Sequence, residues 1–160
     1  MTFFVPADVK GRRIISFTWR ATILFSATAI ITAISPSLFF RVVAVTVALV
    51  LFGLGMIVFL VAYLRSIGRS RYEVISVAGV YLMTGGVAPA AVRRSMYGAL
   101  AVQIVVALVT ASVRPYSSLA FGVLVPLLGL ALCGLWSSVC GTFAPRADAD
   151  AVELEEEEPG

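Results

Sequence analysis

Histidine is absent from this chain, lysine occurs once, at Lys10, and before residue 147 the only carboxylates are Asp8 and Glu73. Without histidine the chain lacks the commonest metal ligand and the usual acid–base group of neutral pH. With two scattered carboxylates it cannot assemble the acid–base pair that hydrolytic chemistry needs. The two cysteines, Cys133 and Cys140, are seven residues apart and fit neither a disulfide framework nor a metal cluster. Ser95 stands beside Arg94 with no base to activate it, and no phosphate-cradling glycine loop or zinc spacing is present. The expectation is a protein that is not an enzyme on its own and holds no cofactor or metal.

Charge of any kind is scarce: 13% of the 160 residues are charged, 60% are hydrophobic, and the mean hydropathy is +1.00. A soluble domain of this size needs more polar surface than that, so lipid is expected to be the main solvent. The charges present are sorted along the chain. Residues 1–146 hold all twelve basic residues against two acids, and residues 147–160 hold seven acids and no base. No soluble domain exists to offer the basic residues to nucleic acid, and loops lying on anionic headgroups account for them better. The tail, with Glu155–Glu158 in a row, has too little apolar surface to fold and is expected to be disordered. It is either a solvated end or a docking segment for a basic surface such as Arg65, Arg69 and Arg71.

What the chain has in quantity is uncharged apolar sequence punctuated by arginine. Ile14–Ile34 forms a first span, with Arg20 reaching back to the headgroups beside Trp19. The same stretch also has the outline of a cleavable signal segment, although no A-x-A site closes it. Val42–Leu64 gives twenty-three uncharged residues between Arg41 and Arg65. Met96–Val113 follows Arg93 and Arg94, and Leu119–Val139 contains Pro126, expected as a tolerated kink.

Val74–Val92 is the ambiguous segment: nineteen residues without charge, but broken by Gly79, Gly85, Gly86 and Pro89. With four spans and the N-terminus inside, ten basic residues lie inside and two, Arg41 and Arg114, outside. Adding a fifth span shifts the count to eight against four, so the positive-inside bias favours four. Thr84-Gly85-Gly86 would also break helical bonding at a depth where no water replaces it. We therefore expect Val74–Met83 to be interfacial or re-entrant, Gly85-Gly86 to be a turn, and Pro89–Val113 to be one helix.

The expected fold is all-α: a polytopic membrane protein with four transmembrane helices arranged as two antiparallel hairpins. Its parts are a cytoplasmic N-terminus (1–13), a first hairpin (14–64), an arginine-rich loop (65–92), a second hairpin (93–140) and an acidic cytoplasmic tail (141–160). Shifting the chain by 81 residues aligns the hairpins with eleven identities over positions 12–54, including Arg12-Arg13 with Arg93-Arg94 and Gly53 with Gly134. Shared membrane composition yields such matches as readily as a parallel internal repeat, so both readings stand.

Within the spans there is no Asp, Glu, Lys or His, which argues against proton pumps and ion-coupled carriers. Gln103 is the polar residue deepest in a span and is expected to bond across helices or line a cavity. Gly53, Gly55 and Gly129 supply notches for close helix approach. Headgroup contact is expected from Arg12, Arg13, Arg20, Arg65, Arg69, Arg71, Arg93 and Arg94. The segments TGGVAPAAVRRSMYGALAVQ, RPYSSLAFGVLVPLLGL and GTFAPR resemble a group of small actinobacterial integral membrane proteins of uncharacterised function. That resemblance implies four membrane helices, a bacterial plasma membrane and no functional residue to carry over.

The leading expectation is an accessory or scaffold subunit that binds membrane partners, or copies of itself, and anionic lipid. The rival is a small transporter or channel for an uncharged or lipid-like substrate, with Gln103, Gly53/Gly55 and Pro126 along its path. A third reading is a lipid-modifying enzyme subunit whose chemistry a partner supplies.

Overall fold

The computed structural model describes residues 11–35, 37–113 and 118–145, and within them the chain is helical apart from loops and one isolated bridge between Glu73 and Pro145. The helices are α1 (Arg12–Ile34), α2 (Leu38–Arg69), α3 (Val77–Tyr81), α4 (Ala90–Val113) and α5 (Pro126–Cys140), with a 3-10 segment, Ser118–Leu124, leading into α5. Four helices are long and apolar enough to cross a membrane: α1, α2, α4, and Ala120–Cys140, which joins part of the 3-10 segment to α5. The expectations for residues 1–10 and for the acidic tail from Arg146 onward lie outside the described residues, as does Arg114.

The helices form a ring in which α1 neighbours α2 and α4, and α5 neighbours α2 and α4. Small residues decide which of them sits centrally. The α5 sequence PLLGLALCGLWSSVC lets other backbones close on it, and 56% of its apolar window is buried against 17% for α2. At Gly55 of α2 an added Cβ would lie 3.0 Å from the Leu128 backbone. At Gly129 it would lie 2.6 Å from Gln103 Oε1 and 2.9 Å from Leu100 Cδ1. Glycine is needed at both points because the neighbouring helix occupies the side-chain position.

Helix ends follow local chemistry. Ser37 caps α2 by accepting from the Phe40 N–H, and Thr32 Oγ1 of α1 donates to the Phe40 carbonyl at 3.0 Å, tying the two helices at that end. Pro126 is not a kink inside one continuous helix. The chain before it is 3-10, and Pro126 takes the first turn of α5, where its missing N–H leaves no helical bond unmade. Pro89 likewise stands just ahead of α4, its carbonyl accepting from the Arg93 N–H.

Val74–Val92 starts and finishes at one end of the bundle. The Val74 N–H donates to the Ala144 carbonyl, and the Thr142 N–H to the Val87 carbonyl. Between these points α3 packs on α5, and the chain reverses through Met83, Gly85 and Gly86, all at positive φ (47°, 70° and 77°). Two adjacent left-handed residues are far easier for glycine than for any residue with a Cβ.

Candidate functional site: the arginine end of the bundle

At about 1.5 Å per residue, the 32 residues of α2 extend roughly 48 Å, against a bilayer core of about 30 Å. Its last turns carry Arg65 and Arg69, with Arg71 just after. Arg69 is tied down by the chain itself. Nε and Nη2 donate to the two oxygens of Glu73 at 2.9 and 3.0 Å, Nη1 to the Ser138 carbonyl at 3.0 Å, and Nη2 also to the Gly141 carbonyl at 3.2 Å. The guanidinium carbon lies 5.2 Å from the centroid of Phe143. These carbonyls are among those that the end of α5 leaves unpaired, and a cation is favoured there by the helix dipole. Arg69 thus acts as a clamp between α2 and α5, with most of its donors unavailable to headgroups.

The other arginines are placed differently. Arg12 and Arg13 open α1, and Arg93 and Arg94 lie in the first turns of α4. Both N-termini lie at the same end as Arg69: an added Cβ at Gly11 would fall 2.5 Å from the Trp136 indole nitrogen and 3.1 Å from Cys140 Sγ. Val87, just ahead of α4, meets the chain after α5. No helix has an acidic residue in its first turn. Glu73 is the only carboxylate in residues 11–145 and it is paired with Arg69 at 2.8 Å. Arg12, Arg13, Arg65, Arg71 and Arg94 are exposed and Arg93 half-exposed, with no further carboxylate among the described residues to neutralise them. Arg20 lies two turns further along α1, exposed, next to Trp19, whose indole donates to Ser95 Oγ at 3.0 Å. Arg41 lies at the opposite end, near the start of α2.

Arginine at a helix N-terminus opposes the helix dipole by roughly 0.3–1 kcal/mol per charge. The same geometry, with positive dipole ends, unpaired N–H groups and guanidinium groups together, is attractive to an anion. Two such ends stand side by side here, on α1 and α4.

Residues that the sequence did not single out hold this end together. Tyr81 stacks on Phe59 (centroids 4.4 Å, planes 14° apart) and donates its hydroxyl to the Phe59 carbonyl at 3.0 Å. Its ring covers Gly134, where an added Cβ would come within 2.5 Å of it. Burial, with a smaller contribution from Tyr63, pushes the Tyr81 phenol above its ordinary 10.0, so it stays a neutral donor. Tyr97 donates to the Leu82 carbonyl, binding the loop after α3 to α4. Glycine at 134 was a visible signal; the identity of its covering ring was not.

Inside the bundle, Gln103 is completely buried. Its Nε2 donates to Thr22 Oγ1 at 2.8 Å, while that hydroxyl donates to the Thr18 carbonyl at 2.8 Å. Oε1 has no hydrogen-bond partner and lies against Gly129. Thr18 adds a contact to Met96 Sδ at 3.7 Å, so residue numbers rise together along α1 and α4. Thr28 and Thr110 return their hydroxyls to their own helices, while Thr32 shares its single hydroxyl hydrogen between the Thr28 carbonyl at 2.8 Å and the Phe40 carbonyl at 3.0 Å. Gly53 differs from Gly55 and Gly129: nothing lies within 4 Å of an added Cβ, so its notch opens outward. A cavity of about 10 Å³ between Phe25, Ala48, Thr110 and Gly122 has room for one water. No family model, curated protein or solved structure matches the chain.

Proposed function

We propose that this is an accessory subunit of a bacterial plasma membrane, built as two antiparallel hairpins with both termini cytoplasmic. In this reading it rests its arginine end on anionic headgroups and offers its lipid-facing helices to membrane partners or to copies of itself. One observation carries it. Arginines are gathered at the N-termini of α1 and α4, where helix electrostatics oppose them and no carboxylate among the described residues compensates. Such a placement is favourable when an external anion supplies the missing charge, and a sheet of anionic lipid does so for all of them at once. The antiparallel sense is supported by contacts in which numbers run opposite along α1 and α2, from Thr32 with Phe40 to Phe25 near Ala48. The repeat reading gains support from Thr22 and Gln103, which are 81 residues apart and bonded to each other. The transporter reading finds less: Gln103 is sealed on all sides in the single chain, so a path would have to run between copies.

Single cysteines at positions 94 and 114, probed with a membrane-impermeant reagent, test the topology. Labelling from opposite compartments is expected, and labelling of both from one compartment refutes it. Co-purification in mild detergent tests the subunit reading, and a solitary monomer under native extraction would count against it.

A further inference from the structure

A groove of about 190 Å³ runs along the arginine end, between the last turns of α2 and the segment containing α3. Its α2 wall is the stripe Tyr63, Ser66, Ile67 and Ser70, at the i, i+3, i+4, i+7 spacing of one helix face, and Ile75 and Val77 line it from across. We propose that this groove holds one acyl chain of an anionic phospholipid whose phosphate is met by Arg71 at the rim. The inference rests on the headgroup reading above and adds a specifically bound lipid to it.

Three features of the groove argue for this occupant. The first is position: the groove lies along the last turns of α2 at the arginine end, where the headgroup reading puts the change from hydrocarbon to phosphate, so a lipid tail enters from one side while its phosphate stays at the surface. The second is wall chemistry. Ser66 and Ser70 direct their hydroxyl hydrogens to the Ala62 and Ile67 carbonyls at 2.9 and 2.7 Å, so neither presents an unpaired donor to a hydrocarbon chain. The third is charge. Arg71 directly follows the wall residue Ser70 and is exposed, and the only carboxylate of residues 11–145 is held by Arg69. Beside it Val77 is 67% exposed and Tyr72 77%, apolar and aromatic surface of the type that lies in the interfacial layer.

The full chain is reconstituted with phosphatidylglycerol carrying a photoactivated diazirine on one acyl chain, with the matching phosphatidylcholine probe as control. Crosslinked residues are then mapped by mass spectrometry. Labelling of Ile67, Ile75 and Val77 should exceed that of Ile57 and Val61, exposed on the opposite side of α2, by about fivefold, the ratio that a preference of about 1 kcal/mol gives. Arg71→Gln, at an exposed position that folding does not need, should bring phosphatidylglycerol labelling down to the phosphatidylcholine level. Ser66→Phe should fill the groove and abolish labelling there. Even labelling around α2 by both probes overturns the groove; if anionic vesicles still bind the chain better than neutral ones, the headgroup reading survives it. Groove labelling without headgroup preference overturns the assignment to an anionic lipid. Crosslinks between two chains through this wall, or recovery of labelling only after removal of residues 146–160, assign the groove to a second copy or to the tail and overturn it as well.

Discussion

Replacing Gln103 with methionine should leave the bundle as stable as it is or stabilise it. Gln103→Met keeps an unbranched side chain of similar volume and removes both polar atoms. The bond lost is Nε2 to Thr22 Oγ1 at 2.8 Å, and interhelical bonds of this kind in membranes average about 0.6 kcal/mol. Thr22 is not stranded, because its own hydrogen already goes to the Thr18 carbonyl. The group relieved is Oε1, fully buried and without a partner, whose desolvation costs about 1–3 kcal/mol. The difference favours methionine by about 1 kcal/mol. Gln103→Ala removes the same polar atoms but leaves a void, and by analogy with other large-to-alanine changes it should destabilise by about 2–4 kcal/mol. Reversible unfolding in mixed detergent and dodecyl sulfate micelles, followed by helical circular dichroism, measures both variants. A Gln103→Met variant destabilised by about 2 kcal/mol or more would refute the reasoning, since Oε1 would then have a partner such as a bound water. In reconstituted vesicles, loss of a solute flux in this variant with stability intact would favour the transporter reading.

Gly129→Ala should destabilise by about 1–3 kcal/mol, because the new methyl meets Gln103 Oε1 at 2.6 Å and Leu100 Cδ1 at 2.9 Å, whereas Gly53→Ala should stay within about 0.5 kcal/mol in the same assay. Arg69→Gln should destabilise by about 1–3 kcal/mol. The half-buried, solvent-screened ion pair with Glu73 accounts for little of that, and the two α5 carbonyls for most, so a double-mutant cycle with Glu73→Gln should give a coupling under about 1 kcal/mol. Replacing Arg12, Arg13, Arg93 and Arg94 together by glutamine should abolish the preference for anionic over neutral vesicles in a flotation assay while helicity is kept. Undiminished preference would remove the ground for the headgroup reading.

The four long helices were legible because arginines mark where lipid gives way to headgroups, and that signal is carried by single residues. Arg41 and Arg65 bracket the core of α2, and Arg93-Arg94 and Val113 bracket that of α4. That 74–92 forms no further long helix was legible too, through Gly85-Gly86, both at positive φ. What could not be read was which face of each helix turns inward. Hydrophobic patterning separates faces when water lies on one side, but here lipid and protein interior accept the same residues. Gly53 and Gly55 looked alike for this reason, and only their partners distinguish them. Arg69 was grouped with the headgroup arginines because its partners, the Ser138 and Gly141 carbonyls, lie about seventy residues away and are backbone atoms, which no residue pattern reports. Pro126 fits a kinked helix and a helix start equally well by sequence, and the 3-10 turns ahead of it settle the choice.

Positions that the 81-residue shift pairs take different places in the bundle. Gly53 and Gly134 are equivalent under the shift, yet one opens outward and the other lies beneath the Tyr81 ring. The difference comes from α3, which follows α2 and precedes α4, and which lies outside the aligned positions. By covering one side of α5 while α2 and α4 take the others, α3 makes α5 the most enclosed of the long helices. Its counterpart α2 meets the Tyr81 ring at Phe59 but stays mostly open along its length, and it continues to Arg69. A helix that is short, small-sided and enclosed can organise a bundle, and one that is long, apolar and open can meet lipid and partners. Deleting the α3 ring with Tyr81→Ala should therefore loosen α5 and leave the first half of α2, away from Phe59, in place. Hydrogen exchange measured in micelles should show lost protection across Ala131–Ser138 and unchanged protection across Val43–Val50, and equal loss in both helices would contradict this division of labour.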